Sequence, residues 1–265
     1  MKPVAKEFED KIVVVSGGSR GIGFAIASAF ARNGAQTVLA ASSQERLAQA
    51  AQRIKAAGAA APLTVAGDLT TLAACEKVHS LVMERFGRCD VLVNSAGATR
   101  AGAFLAQPDS DWQEGFALKF HACVRLCRLF WPTLKATQGV IVNIVGGAAR
   151  TPDPDFLVGG AVNAAMANFS KGLAGLGKRD GVNVNSILPG LTETERVHAL
   201  FAQRAAANDI TPEEARSRAI AKDGIRRLGR PEDVAELALF LASERARHIQ
   251  GTAIAVDGGS TPGLY

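Results

Sequence analysis

The sequence contains one tyrosine, Tyr265, and it is the last of the 265 residues. A site that needs a phenol is therefore excluded over the rest of the chain, so that only a C-terminal tail folded into a pocket could supply one. Cysteine is also scarce. The four cysteines, at positions 75, 89, 123 and 127, lack the spacing of metal ligands, and no metal site is predicted. They suit a reducing compartment, where buried cysteine acts as a small apolar residue.

Long apolar runs are absent as well. None reaches the roughly 20 residues that a membrane span requires. The opening segment "MKPVAKEFEDKIVVVSGG" has neither the apolar stretch nor the cleavage site of a signal peptide. We therefore expect a cytoplasmic protein that has no membrane partner.

The sequence has no concentrated charge of one sign, although its net charge is +5. The basic stretches "KRD" and "IRRLGR" are short, and no aromatic residues are interleaved with them. A nucleic-acid partner is therefore not expected. Because there is also no internal repeat and no Gly/Ser-rich or Pro-rich linker, residues 1–265 are predicted to form a single domain.

Strand-like apolar runs alternate with helix-like segments along the whole chain. Strict alternation predicts an α/β fold, a Rossmann-like doubly wound parallel sheet of about seven strands with helices on both faces. Helices are predicted after each of the first five strands, including a long one from about Asp109 to Lys135. The predicted strands lie in "KIVVV", "TVLA", "LTVAGDL", "CDVLVNSAG", "GVIVNIVGG", "GVNVNSILPG" and "TAIAVDGG". In such sheets ligands bind at the carboxyl ends of the strands.

The stretch "SGGSRGIG", from Ser16 to Gly23, leaves the first strand and opens the first helix. Glycines allow the backbone to approach a pyrophosphate, and a helix N-terminus offers free N–H groups and a partial positive charge. This context predicts a dinucleotide site rather than a mere tight turn.

The spacing of Gly17, Gly21 and Gly23 resembles that of the short-chain dehydrogenase/reductase family. Further similar motifs are "GDL" at Gly67, "NSAG" at Asn94, "LPGLTET" at Leu188, "GRPEDVAELALFLAS" and "QGTAIAVDGG". The resemblance covers nearly the whole chain and implies a bound nicotinamide dinucleotide and a small-molecule substrate. The residues implied in cofactor binding are Gly17, Ser19, Arg20, Gly21, Ile22, Gly23, Ser42, Asp68, Leu69, Asn94, Ala96, Gly97, Pro189, Gly190 and Thr194.

The end of the second strand favours NADP(H) over NAD(H). Ala41 stands where an acidic residue would accept hydrogen bonds from the ribose of NAD. Arg20 could pair with a 2′-phosphate through its planar fork of donors, and Ser42 could donate to it. The alternative is that Arg20 is only a solvated loop charge.

The resemblance also implies a catalytic serine, tyrosine, lysine and asparagine, and this sequence has none of them at the matching positions. The family's spacing places the serine at Gly146, the tyrosine at Gly159, the lysine at Asn163 and the asparagine at Lys119. Glycine cannot transfer a proton, and asparagine carries no charge that could lower a neighbouring pKa. Restoring serine, tyrosine and lysine together is expected to return measurable activity if the backbone follows the family's path.

Three titratable residues are the candidates for the missing chemistry. Lys119 is expected to face the pocket, with the alternative that its ammonium reaches solvent. Asp153 and Asp155, together with Arg150, lie in "ARTPDPDF", the loop that in the family adjoins the substrate. His121 is expected at a surface or interface, because it lies two residues from Lys119 and faces elsewhere.

Three functions remain open at this point. The first is an NADP(H)-dependent reductase of an activated, conjugated substrate such as an enoyl group, which needs no phenol; ordinary alcohol or ketone chemistry is not expected. The second is a catalytically inactive NADP(H)-binding sensor or partner subunit, and the third is a non-redox enzyme that uses the same pocket. The resemblance further implies a homo-oligomer, a dimer or tetramer, packed through the helices near Trp112 and Gly159.

Overall fold

Seven parallel strands form one sheet in the computed structural model, which describes residues 6–262; Tyr265 lies outside the described residues. Their order across the sheet is β3-β2-β1-β4-β5-β6-β7. The predicted doubly wound α/β fold is therefore confirmed. The strands are β1 (Ile12–Ser16), β2 (Gln36–Ala41), β3 (Leu63–Ala66), β4 (Val91–Asn94), β5 (Val140–Ile144), β6 (Asn183–Pro189) and β7 (Ala253–Val256).

Helices cover both faces of this sheet. One face packs against α1, α2 and α9, and the other against α3, α5 and α6. Helices α7 and α8 form a small cluster of their own beyond β6. The helices are α1 (Gly21–Arg32), α2 (Gln44–Ala56), α3 (Leu72–Phe86), α4 (Asp109–Gly115), α5 (Ala122–Thr137), α6 (Leu157–Asp180), α7 (Glu195–Asn208), α8 (Pro212–Lys222) and α9 (Pro231–Ala242).

The central strands are buried on both sides, which explains their uninterrupted apolar sequences. In β1, Val13 and Val15 pack into one core and Val14 into the other, and all three side chains are fully buried. A strand covered on both faces has no solvent-facing side, so polar residues do not alternate with apolar ones along it.

The chain reverses its winding direction between β1 and β4, which are neighbours in the sheet. Their carboxyl ends meet in register at Ser16 and Asn94. The Ser16 hydroxyl accepts hydrogen bonds from the backbone N–H groups of Ser95 (3.1 Å) and Ala96 (3.2 Å). This junction is where an open α/β sheet offers its ligand crevice.

The predicted long helix from about Asp109 to Lys135 is interrupted. Between α4 and α5 the chain makes one π-helical turn, Phe116–His121. Such turns insert an extra residue into a helix and are frequent at functional sites. The inserted turn carries Lys119.

Within residues 6–262, the helices are all too short or too polar to cross a bilayer. The same residues contain no group of three or more histidine, cysteine, aspartate or glutamate side chains placed to hold a metal ion. Cys123 and Cys127 lie buried on one face of α5, with their sulfur atoms 4.0 Å apart.

Candidate active site

The glycine-rich turn forms a cradle with little room for side chains. Gly17 has a φ of +69°, and a Cβ atom on Gly23 would lie 2.3 Å from the carbonyl oxygen of Gly17. The first turn of α1 has no side-chain cap and no acidic residue. Its N–H groups are thus available to an anion. Ser19 and Ile22 are half-buried on either side of the exposed Arg20.

At the end of β2, Ala41 is buried and Ser42 is exposed. The Arg20 guanidinium reaches the first turn of α7, where its Nη1 lies 2.9 Å from Glu195 Oε2. Arg46 lies 3.9 Å from the same carboxylate oxygen. Sequence reasoning missed Arg46. The signal for it is Ser43 three residues earlier, whose hydroxyl caps α2 and so fixes Arg46 in the first turn.

Asp68 and Leu69 follow β3 at the far side of the same edge. The Asp68 carboxylate accepts the backbone N–H of Thr70 at 3.0 Å, and Leu69 is buried. Both residues follow the carboxyl end of β3, at the same edge of the sheet as the other residues predicted to bind the cofactor.

The segment after β4 runs along the crevice and meets Lys119. The buried Asn94 donates from Nδ2 to Asn143 Oδ1 on the next strand at 2.9 Å. Ala96 is held by Ser16, as described above. A Cβ atom on Gly97 would lie 2.9 Å from Cδ of Lys119. The absence of a side chain at residue 97 therefore makes room for the lysine.

The segment after β6 closes over the glycine-rich turn. Pro189 ends the strand, and a Cβ atom on Gly190 would lie 2.8 Å from Cβ of Asp257. Thr194 caps α7 by accepting the N–H of Val197. Its methyl carbon lies 3.4 Å from the position of a Cβ atom on Gly21. Of the three predicted cofactor residues in this segment, Thr194 thus lies beside the glycine-rich turn.

Gly146 and Asn163, the predicted serine and lysine positions, face each other. A Cβ atom on Gly146 would lie 3.1 Å from Asn163 Oδ1, and Gly146 has a φ of +136°. Asn163 is buried, and its Oδ1 has no hydrogen-bond partner within residues 6–262. A buried amide oxygen without a partner is costly, so a ligand donor is its natural complement.

The ring of Phe156 occupies the space beside Gly159, the predicted tyrosine position. A Cβ atom on Gly159 would lie 2.0 Å from Cζ and 2.1 Å from Cε1 of Phe156. The ring is presented by a 3₁₀ turn, Pro154–Phe156, that precedes α6. An aromatic ring thus already lies where the side chain of a tyrosine at residue 159 would begin.

Lys119 reaches the centre of this group of positions. Its Nζ donates to the carbonyl oxygen of Val145, the residue before Gly146. Burial and, to a smaller extent, the positive charge of Arg196 lower the pKa of the ammonium to about 7, and Cys123 opposes the shift. Lys119 thus faces the pocket, and its charge is switchable near neutral pH.

The two candidate aspartates lie at the rim. Asp153 Oδ1 accepts the backbone N–H of Asp155 at 2.9 Å and so caps the turn that presents Phe156. The exposed Asp155 has its carbonyl oxygen bonded to the N–H of Gly102 at 3.0 Å. Arg150 points to the sheet edge and donates to the carbonyl oxygen of Ala253 at 2.9 Å. A catalytic role for the aspartates stays a prediction.

Comparison with known proteins gives consistent matches over nearly the whole chain. A family profile described as enoyl-(acyl carrier protein) reductase matches residues 17–261. The chain is 32% identical over 254 residues to meso-2,3-butanediol dehydrogenase of Serratia marcescens, covering 96% of both chains. It is 31% identical over 256 residues to a 3-oxoacyl-[acyl-carrier-protein] reductase of Escherichia coli, covering 95% of this chain and 98% of the other.

A solved structure is also very similar. L-sorbose reductase from Gluconobacter frateurii, in complex with NADPH and L-sorbose, superposes with a TM-score of 0.93 at 33% identity, covering 98% of this chain and all of the other. The sequence motifs, the strand order and these matches agree, and the chain belongs to the short-chain dehydrogenase/reductase family of NAD(P)-dependent oxidoreductases.

Proposed function

We propose that this protein is an NADP(H)-dependent reductase that acts on a conjugated, enoyl-type carbonyl compound and uses Lys119 in place of the family's tyrosine and lysine. The observation that carries the proposal is the position of Lys119. Its Nζ lies at the end of β5 beside Gly146, while Phe156 fills the tyrosine position at Gly159. The matched profile, which is described as an enoyl reductase, supports the substrate class.

The residues present fit a dinucleotide. The bare cradle around Gly17 and Gly23 would hold its pyrophosphate, and the unpartnered Oδ1 of Asn163 would accept a ribose hydroxyl. Arg20, Ser42 and Arg46 would hold a 2′-phosphate, which supports NADP(H) over NAD(H). The NADPH present in the L-sorbose reductase complex is consistent with this preference.

The bound nicotinamide would supply the hydride. The part that falls to this chain is to stabilise the charge that develops on the carbonyl oxygen of the substrate. A conjugated substrate spreads this charge over several atoms, so a single cation near the oxygen suffices and no strong acid is required. Lys119 Nζ provides that cation, and a pKa of about 7 allows it to deliver a proton near neutral pH.

Phe156 also favours a second candidate function, an NADP(H)-binding protein without turnover. The ring blocks the space through which a proton donor on α6 would act, and Asn163 is uncharged. In that case Lys119 would serve only to bind the cofactor or to fill the site. Both candidate functions predict tight binding of NADPH, and only the first predicts turnover of a substrate.

The proposed assembly is a homo-oligomer. The solvent-exposed face of α6 begins with the small side chains of Ala161 and Ala164, and the exposed Asn168 and Lys171 follow them. Small side chains allow a second helix to approach closely. Sedimentation velocity would test the proposal, which predicts a dimer or tetramer at micromolar concentration; a monomer would refute it.

The test of the proposed reaction compares 3-penten-2-one with 2-pentanone, which differ only in the conjugated double bond. Wild-type protein should oxidise NADPH with the first and not with the second. Lys119→Met should lower the rate with 3-penten-2-one by about 10²–10⁴-fold, typical of losing an acid–base group. Lys178→Met, at an exposed position late in α6, is the matched control and should leave the rate unchanged. Tight NADPH binding without turnover of either compound would favour the second candidate.

A further inference from the structure

Two cationic side chains lie against one short segment of the crevice, residues 97–99. The stem of Lys119 packs against Gly97, as described above. From the other side, Nη2 of Arg196 donates to the carbonyl oxygen of Thr99 at 2.7 Å and lies 3.2 Å from its hydroxyl. Two residues of extended chain span at most ~7 Å, so both cations are anchored to the same small region.

These two cations differ from Arg20, Arg46 and Arg100 in having no carboxylate partner among the described residues. Arg20 and Arg46 share Glu195, and Arg100 pairs with Asp111 at 3.2 Å. Within residues 6–262 neither Lys119 nor Arg196 forms an ion pair, and only Nη2 of the Arg196 guanidinium is hydrogen bonded. The remaining donors of Arg196 are thus free to meet a ligand.

The position of Arg196 is unfavourable for the fold alone. It is the second residue of α7, and the N-terminal turn of a helix disfavours positive charge. Its charge also lowers the pKa of Lys119, which is the signature of two like charges held close together. Arg196 is exposed, and within the described residues no carboxylate is paired with it. A negatively charged group of a ligand would offset the repulsion between the two cations.

Arg196 is anchored towards the start of α6. The methyl carbon of Thr99 lies 3.2 Å from the position of a Cβ atom on Gly115, and that position is 3.0 Å from Val158, the residue before Gly159. The anchoring point is therefore close to the start of α6, where Gly159 lies beside the Phe156 ring.

We propose that Arg196 binds an anionic oxygen group of the substrate, a carboxylate or a phosphate, while Lys119 faces its reacting carbonyl group. This inference rests on the proposed function for the location of the substrate, and it goes further by giving the substrate a negative charge. A guanidinium recognises either group with paired hydrogen bonds. The proposed substrate is thus an unsaturated oxo acid or its phosphorylated counterpart.

Binding of substrate-like ligands tests the proposal without any turnover. Calorimetric titrations with 4-oxopentanoate and with its uncharged methyl ester would be run on protein saturated with NADP⁺ and repeated on protein without cofactor. The carboxylate should bind at least about tenfold more tightly than the ester. A parallel titration with dihydroxyacetone phosphate shows whether the site binds a phosphate group more tightly than a carboxylate.

Variants assign the effect to Arg196. Arg196→Gln should abolish the preference for the charged ligand, Arg196→Lys should keep part of it, and Arg204→Gln, two turns further along α7 and exposed, should change nothing. Equal affinities for 4-oxopentanoate, its ester and dihydroxyacetone phosphate would overturn the proposal. A loss of NADPH affinity in Arg196→Gln with the ligand preference intact would overturn it too, because Arg196 would then be a cofactor residue. If the anion binds but no conjugated substrate is reduced, the proposed reaction fails and this inference stands.

Discussion

At the scale of single residues, the notable change is the place of a positive charge. The family's lysine position on α6 holds the neutral Asn163, and a lysine appears instead at residue 119, on the π-helical turn before α5. From that turn Lys119 reaches the carbonyl oxygen of Val145. The site therefore keeps one ammonium group, and it approaches from a different helix.

The depressed pKa of Lys119 gives a stability prediction with a definite sign. Its ordinary pKa in an unfolded chain is about 10.4, against about 7 in the folded protein. Between these two values the unfolded state binds more protons, so the free energy of unfolding rises with pH. Lys119→Met removes this dependence, and the variant should exceed wild type in melting temperature most clearly below pH 7.

Thermal melts of both proteins at pH 6.5, 8 and 9.5 would measure this difference. The excess of Lys119→Met should shrink steadily from pH 7 towards pH 10. For a chain of this size ~1 kcal/mol corresponds to about 2–4 °C. A difference that stays constant with pH would show that folding does not lower the pKa of Lys119.

Arg20 and Arg46, which share the carboxylate of Glu195, give a cofactor prediction. Arg20→Ala should weaken NADPH binding by about 10–100-fold and leave NADH binding nearly unchanged, because a charge-assisted hydrogen bond contributes about 1.5–3 kcal/mol. Glu195→Gln should act in the opposite direction, since it frees both Arg20 and Arg46 for a phosphate. Fluorescence titrations with the two cofactors measure both effects, with Arg85→Ala on α3 as control. Equal affinities of wild type for NADPH and NADH would refute the preference.

At the scale of elements, Phe156 and Gly159 form one packing unit at the start of α6. Gly159→Ala would place a methyl group inside the Phe156 ring, which typically costs about 1–3 kcal/mol of stability. Phe156→Ala should remove this penalty in the double variant. Gly172→Ala, in the same helix but with open space around it, should instead be neutral or stabilise by ~0.5–1 kcal/mol. Urea unfolding of Gly159→Ala, Phe156→Ala, the double variant and Gly172→Ala checks the prediction. If the costs of the two single changes simply add in the double variant, the prediction is contradicted.

The sequence was sufficient to predict the sheet and the phosphate cradle, because both follow from local patterns. The apolar run of β1 and the glycines after it define a strand, a turn and a helix without reference to distant residues. The sequence could not predict contacts between segments that are distant along the chain. Nothing in the spacing indicates that Arg196 approaches Thr99, or that Phe156 fills the space beside Gly159, since both depend on how loops fold back onto the sheet.

At the scale of the whole molecule, this chain shares its fold with relatives that are named for different reactions. The relatives named above include a butanediol dehydrogenase and a sorbose reductase, whose names denote alcohol and ketone chemistry. The fold is the same, with a TM-score of 0.93 to the latter. Shared architecture fixes where a substrate can bind, and the chemistry depends on a few side chains at that place.

Restoring those side chains should not restore the activity. In the variant Gly146→Ser, Gly159→Tyr, Asn163→Lys, the tyrosine would collide with Phe156, and serine would have to adopt the φ of +136° at residue 146, which side chains rarely tolerate. We expect this triple variant to be destabilised and to reduce no simple ketone. Adding Phe156→Ala removes the collision but not the strain, so the quadruple variant should recover stability and show at most a trace of turnover. The test measures NADPH oxidation with 2-pentanone and the melting temperature for the wild type and for both variants. Turnover by the triple variant at ordinary rates, about 1–10³ s⁻¹, would mean that the start of α6 rearranges easily and that the missing side chains alone separate this protein from its relatives.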